Sequence, residues 1–255
     1  MSKRIGSMYG RRAAFAFITL VGGASVAVPA KGALVLSFSD GVDPTQYAPV
    51  ATTDINGNSS TSLTSTLVFP SFSVDIASAV SNATVASGQQ AYLETSTIRI
   101  TDLNTSGLPV TLTVTASDTG WTIPGISGNL LQLGSSLGGS VTKLLSNGND
   151  SVNFTSTVST NGGAFVQSTS GQTKNITAAS ANPQSFHVPD ASFNFTRTGT
   201  FDLTNTAVVS LTNSGDQFNI NGTTSVVVIP EPASCTLALL GCSSALLRRY
   251  RRRLA

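Results

Sequence analysis

The tightest constraint in this chain is a run of eight residues in which Val110, Leu112, Val114 and Ala116 alternate with Thr111, Thr113, Thr115 and Ser117. Side chains two apart share one face of a β-strand, so the run carries an apolar face and a hydroxyl face. Threonine is β-branched and sits well on the wet side of a pleated sheet. A sheet with one face in a core and one in water is usually antiparallel.

Similar segments read as strands at 34–39, 67–76, 92–101, 152–158, 192–198, 200–211 and 217–229. Between or within them stand the turn signals Asn56-Gly57, Ser87-Gly88, Ser106-Gly107, Asn147-Gly148, Asn161-Gly162-Gly163, Ser214-Gly215 and Asn221-Gly222. Many short strands with Gly/Asn punctuation predict an all-β chain, an antiparallel β-sandwich or jelly-roll-like body over residues 34–229. One large sandwich and two small ones both suit that length. The best helix candidate, residues 130–145, is weakened by Gly134, Gly138 and Gly139. Residues 161–183 are poor in apolar side chains and read as a long loop. Trp121, Phe193, Phe195, Phe201 and Phe218 are the expected bulk of the core. Trp121 follows Asp118-Thr119-Gly120 at a turn, so an exposed sugar platform is its alternative role.

Composition agrees with sheets. The chain has 36 Ser and 33 Thr among 255 residues, while charged residues make up only 10%. Helical bundles draw their outer faces from Glu, Lys, Gln and Arg, which are scarce here. A hydrophobic share of 40% also excludes disorder driven by charge.

The net charge of +2 conceals three blocks: +5 over residues 1–33, −7 over 34–230 and +4 over 231–255. An acidic body with only Arg99, Lys143, Lys174 and Arg197 as cations offers no basic patch for nucleic acid. The basic ends have another use. Arg11-Arg12 precede an apolar run from Ala13 to about Val28, followed by the small-residue exits Ser25-Val26-Ala27, Val28-Pro29-Ala30 and Ala33. That order is a secretory signal peptide, residues 1–33, whose apolar part forms a signal helix. An uncleaved membrane span is the alternative, although Gly22, Gly23 and Pro29 interrupt the run. Arg11-Arg12 also permits a twin-arginine route.

At the other end, Pro230-Glu231-Pro232 is followed by fifteen uncharged residues, 233–247, and then by Arg248, Arg249, Tyr250, Arg251, Arg252 and Arg253. Fifteen helical residues cover about 22 Å, short of a hydrocarbon core of roughly 30 Å unless the arginines snorkel. The arginines hold this end in the cytoplasm and leave the body outside. This three-part tail, residues 230–255, resembles the PEP-CTERM sorting signal of Gram-negative bacterial surface proteins. The resemblance implies an exosortase, a membrane cysteine transpeptidase, as partner, with Pro230, Glu231 and Pro232 as its recognition site and the hydrophobic helix as a transient membrane anchor. A tail anchor that stays uncut is the alternative. Cys235 and Cys242 both lie in this tail, so the body has neither a disulfide nor a thiol nucleophile.

The body carries little chemistry. His187 is the only histidine and Glu94 the only glutamate of residues 34–229, so a triad would rest on His187 alone, and neither a His-rich metal site nor a paired-glutamate site can be assembled. A weak hydrolase using His187 and aspartates is the least favoured reading. Asp54, Asn56 and Asn58 space oxygen ligands like the start of a calcium loop, but Ser59 stands where glycine is needed and Ser65 where glutamate is. Asp40-Gly41-Val42-Asp43 and Asn147-Gly148-Asn149-Asp150 have similar composition, and turns held by their own Asx side chains explain all three. The expectation is a non-catalytic, exported β-sandwich at the cell surface or in the extracellular matrix, with no cofactor and with polysaccharide as its surroundings. The alternative is a carbohydrate- or calcium-dependent adhesion module.

Overall fold

A computed structural model describes residues 34–53, 58–83, 90–125, 128–160 and 165–229. The signal segment, the sorting tail and both expected terminal helices lie outside these residues, as do Asp54 and Asn56. Every regular element among the described residues is a strand: β1 Val35–Ser39, β2 Gln46–Tyr47, β3 Thr52–Thr53, β4 Ser59–Ser62, β5 Leu67–Val68, β6 Phe72–Ser81, β7 Gln90–Asp102, β8 Val110–Trp121, β9 Leu130–Lys143, β10 Asp150–Thr160, β11 Phe165–Ser168, β12 Gln172–Ile176, β13 Ser180–Thr196, β14 Phe201–Leu211 and β15 Gln217–Val228.

They form two antiparallel sheets. Sheet A has the order β11-β10-β14-β8-β1-β2, with β12 also paired to β10. Sheet B has the order β13-β9-β15-β7-β6-β4-β3, with β5 paired to β6. The sheets face each other, with β10 over β9, β14 over β15 and β7, β8 over β7 and β6, and β1 over β6 and β4. One contiguous core fills the space between them. Its apolar residues come from the inward positions of alternating strands, so Leu112, Val114 and Ala116 are buried as their spacing requires. Trp121 stacks on Phe201 at 6.1 Å, and Phe195 meets Phe201 edge to face at 5.9 Å. Phe218 is buried against Phe186, and Phe193 is only partly covered.

Three expectations are corrected. Residues 130–145 form strand β9, not a helix. Leu133, Leu137 and Val141 are four apart, a spacing that a helix face and a strand face share, and all three point into the core. Gly139 decides between the two, because a Cβ there would overlap the backbone carbonyl of Asn219 on β15. Residues 161–183 are not one loop, since β11, β12 and the start of β13 occupy much of that stretch. These strands lie at the edges, where one flank faces water, so they need few apolar residues. Asn221-Gly222 is not a turn but a register shift inside β15, between Ile220 and Gly222. A Cβ on Gly222 would strike the Phe154 ring, so that position holds glycine to let the sheets close.

Candidate functional site

The outer face of sheet B carries a shallow trough of about 300 Å³ where β13, β9 and β15 run side by side. Its walls are hydroxyls and one carboxylate: Ser136, Ser192, Thr223, Ser225 and Asp190 around Gly134. Register places these groups. Ser192 pairs with Gly134, Gly134 with Ser225, and Ser225 with Tyr92, so the four form one row across the sheet. In the next row Ser136 pairs with Thr223 and Thr223 with Glu94. Gly134 makes the dent, since the nearest atom to a Cβ there would be Ser225 Oγ at 3.3 Å. Tyr92, half-buried at the rim, donates its hydroxyl to Asn58 Oδ1 at 3.2 Å. The face therefore combines hydroxyls and two carboxylates with one aromatic ring.

The outer wall is held from inside. β13 contains Pro183 and Pro189, neither of which can donate a ladder hydrogen bond, and its register with β9 shifts near both. Gln172 Nε2 donates to the Pro189 carbonyl at 2.9 Å, fixing the bulge that presents Asp190. Gln172 Oε1 in turn accepts from buried Ser135 at 2.6 Å. Behind it, Ser156 donates to Ser135 at 2.8 Å, Thr224 donates to Asn205, and Asn205 Nδ2 reaches the Leu93 carbonyl at 3.0 Å. This polar seam ties both sheets together beneath the trough.

The other sequence candidates are dispersed. His187 lies on the β13 edge, 67% exposed, with Nε2 3.8 Å from Asp190 Oδ1. Trp121 is fully buried, and its Nε1 donates to Asn82 Oδ1 at 3.2 Å. That burial rules out the exposed sugar platform, and it follows from β8 extending to Trp121 rather than ending in a turn at Gly120. Asp40 Oδ1 accepts from the backbone of Val42 and Asp43 at 3.0 and 2.9 Å, an Asx turn that employs the oxygen a cation would use. Of the proposed calcium ligands only Asn58 is described. Among the described residues no group of three His, Cys, Asp or Glu is placed to hold a metal ion. No helix of the described residues is long and apolar enough to cross a membrane.

Sequence reasoning missed the buried charges. Lys143, Asp102, Asp150 and Asp216 meet at one end of the sandwich, each 1% exposed or less. Lys143 Nζ is 3.1 Å from Asp150 Oδ1 and 3.6 Å from Asp216 Oδ2. At the other end Asp118 is buried, accepting from the Ser81 hydroxyl and from the Thr119 backbone. Arg197 there donates to the carbonyls of Gly199, Pro124 and Gly125. Desolvation lifts Asp102, Asp118 and Asp150 above the usual carboxylate range, with Asp216 adding repulsion at Asp102 and Asp150 and Asp202 at Asp118. Hydrogen bonds oppose the lift at Asp102 and Asp118, and the nearby Lys143 opposes it at Asp150. Desolvation likewise lowers Arg197. A signal for these residues exists in the sequence: Asp102 continues the parity of Ile98 and Ile100, Lys143 that of Leu137 and Val141, and Asp150 that of Val152 and Phe154.

No family model and no curated protein matches this chain. Among solved structures it has a distant likeness to TmCBM61 in complex with β-1,4-galactotriose, at 12% identity over 61% of this chain and 82% of that one, with a TM-score of 0.24. Similar values hold for the CBM22-1 xylan-binding domain from Paenibacillus barcinonensis Xyn10C, at 10% identity over 80% and 99% of the two chains, with a TM-score of 0.23. The enzymatically active domain of bacteriophage CBA120 tailspike protein 4 is 9% identical over 69% of this chain, with a TM-score of 0.28, and this chain spans 20% of its length. Likenesses at this level assign neither a family nor an activity.

Proposed function

We propose that this chain is an exported, non-catalytic surface protein whose sheet B holds extracellular polysaccharide. The observation that carries this reading is the trough between β13 and β15, a concave row of Ser, Thr and Asp groups with Tyr92 beside it. Sugars present hydroxyls to such donors and acceptors and apolar C–H faces to an aromatic ring. Because the trough is shallow and wet, each contact competes with water, and binding relies on repeated weak engagement along a polymer. The acidic balance of the body favours neutral or cation-bridged glycans over strongly anionic ones.

Delivery belongs to the two ends. Their order of charge, apolar run and proline-flanked Glu231 supports export followed by exosortase-type sorting, with the arginines inside the cell until the tail is cut. Affinity electrophoresis of the protein released by its host, in gels holding neutral or acidic polysaccharides, tests the binding role. Retardation by a neutral glycan, relieved in Tyr92→Ala and Glu94→Gln, is expected. Unchanged mobility in every gel would remove the binding role. Intact mass and cell fractionation test delivery, and a cytosolic chain with both ends present would overturn it.

A further inference from the structure

The buried lysine lies among groups arranged for a reaction rather than for a simple ion pair. Lys143 ends β9 in sheet B, and Asp150 begins β10 in sheet A. Gly148, at φ +70°, helps turn the chain back so that the two side chains meet in the core. Nζ is 3.1 Å from Asp150 Oδ1, yet neither Nζ nor Asp150 Oδ2 makes a hydrogen bond, although both are buried. Oδ1 is held by the Thr212 backbone N–H at 3.0 Å. Asp216 Oδ2 stands 3.6 Å from Nζ and is fixed by Asn213 Nδ2 at 2.8 Å, while its Oδ1 accepts from the Leu144 N–H at 2.6 Å.

We propose that Lys143 and Asp150 condense to an isopeptide bond, a covalent link between the two sheets. The amine nitrogen attacks Asp150 Cγ, and the N–C bond forms as the C–Oδ2 bond breaks. Oδ2 leaves as water with protons given up by Nζ and by the carboxylic acid, and Asp216 carries the proton between them. The amine and carboxyl become an amide plus one water, with no oxidant or co-reactant. The Thr212 N–H stabilises the oxyanion that forms on Oδ1. Water exclusion favours the uncharged acid that must react, and it also withholds the water that would reverse the step. Burial that raises the Asp150 carboxyl acts in the same direction. A body without cysteine has no disulfide to brace it outside the cell, and this amide serves that purpose.

Trypsin reads the bond directly, because it cuts after lysine only when Nζ is free. Digestion of the denatured full-length protein is expected to give residues 100–174 as one species, lighter than its sequence by one water, with branched fragment ions joining Lys143 to Asp150. Separate peptides 100–143 and 144–174 of unmodified mass would overturn the proposal. So would loss of water with Lys143 still cleavable, which marks a succinimide at Asp150. Asp150→Ala should restore cleavage after Lys143, and Asp216→Asn should slow or prevent the link, both in folded protein checked by circular dichroism. Full linkage in either variant would overturn the roles assigned to these residues.

Discussion

The two ends of the sandwich bury charge in opposite ways. At the β9–β10 end, one lysine faces Asp150 and Asp216 with Asp102 close by, and Nζ, Asp102 Oδ2 and Asp150 Oδ2 are all without hydrogen bonds. At the β8–β14 end, Arg197 is enclosed by backbone carbonyls, while Asp118 accepts from Ser81 and Thr119. The guanidinium's several fixed donors let carbonyl oxygens satisfy it without a carboxylate. The lysine end has compensated charge but unused hydrogen-bonding capacity. Compensation by charge leaves reactive atoms in a dry place, whereas compensation by hydrogen bonds leaves none.

Substitution separates the two cases. Lys143→Ala removes the link and returns the Asp150 carboxyl to the core beside Asp216 with no amine to face, so it should cost about 3–5 kcal/mol in chemical denaturation. Arg197→Met leaves carbonyls unpaired but strands no charge, so about 1–3 kcal/mol is expected. An arginine loss equal to the lysine loss would erase the distinction.

Acidity sharpens the comparison next. Asp102 and Asp118, one at each end, are both raised above the ordinary carboxylate range by burial. Between that range and the raised value the folded chain holds more protons than the unfolded one. Stability therefore increases as pH falls from neutral through the raised values, and the gain is complete below the ordinary carboxylate range. Calorimetry across that window should show Tm rising on mild acidification, with Asp102→Asn and Asp118→Asn each flattening the rise. A Tm that falls steadily from neutral pH would contradict buried, lifted carboxyls at both ends.

Legibility from sequence followed the same division between faces and ends. Strands β7, β8, β10, β14 and β15 were visible because their apolar alternation is long and regular, as in Val110 to Ala116. β9 was misread because Gly134, Gly138 and Gly139 imitate a broken helix, and their purpose is set by Asn219, Phe186 and Ser225 on neighbouring strands. β11, β12 and the first part of β13 escaped because edge strands expose polar residues that look like loop. The trough was invisible for a different reason: it depends on register across four strands, and Ser192, Gly134, Ser225 and Tyr92 are distant in sequence. The charged clusters were half legible. Each aspartate prolongs a buried stripe by one step, yet parity alone cannot say whether the stripe has already left the core.

The smallest stability effect belongs to the surface, and it is the most informative for function. Tyr92 is partly exposed on the outer face of β7, and its hydroxyl bonds across the surface to Asn58. Tyr92→Ala removes that bond and a ring in partial contact with water, so the expected loss is under about 1 kcal/mol. Polysaccharide retention should nevertheless fall several-fold, because the ring is the aromatic partner in the row with Gly134 and Ser225. Ser225→Val, in the next strand of the same row, keeps a β-compatible side chain while removing the hydroxyl, and should weaken retention with equally little change in Tm. If both variants bind as well as the parent, glycan contact lies elsewhere on the sandwich. If Tyr92→Ala instead melts with the core variants, that side chain belongs to the packing rather than to the recognition face.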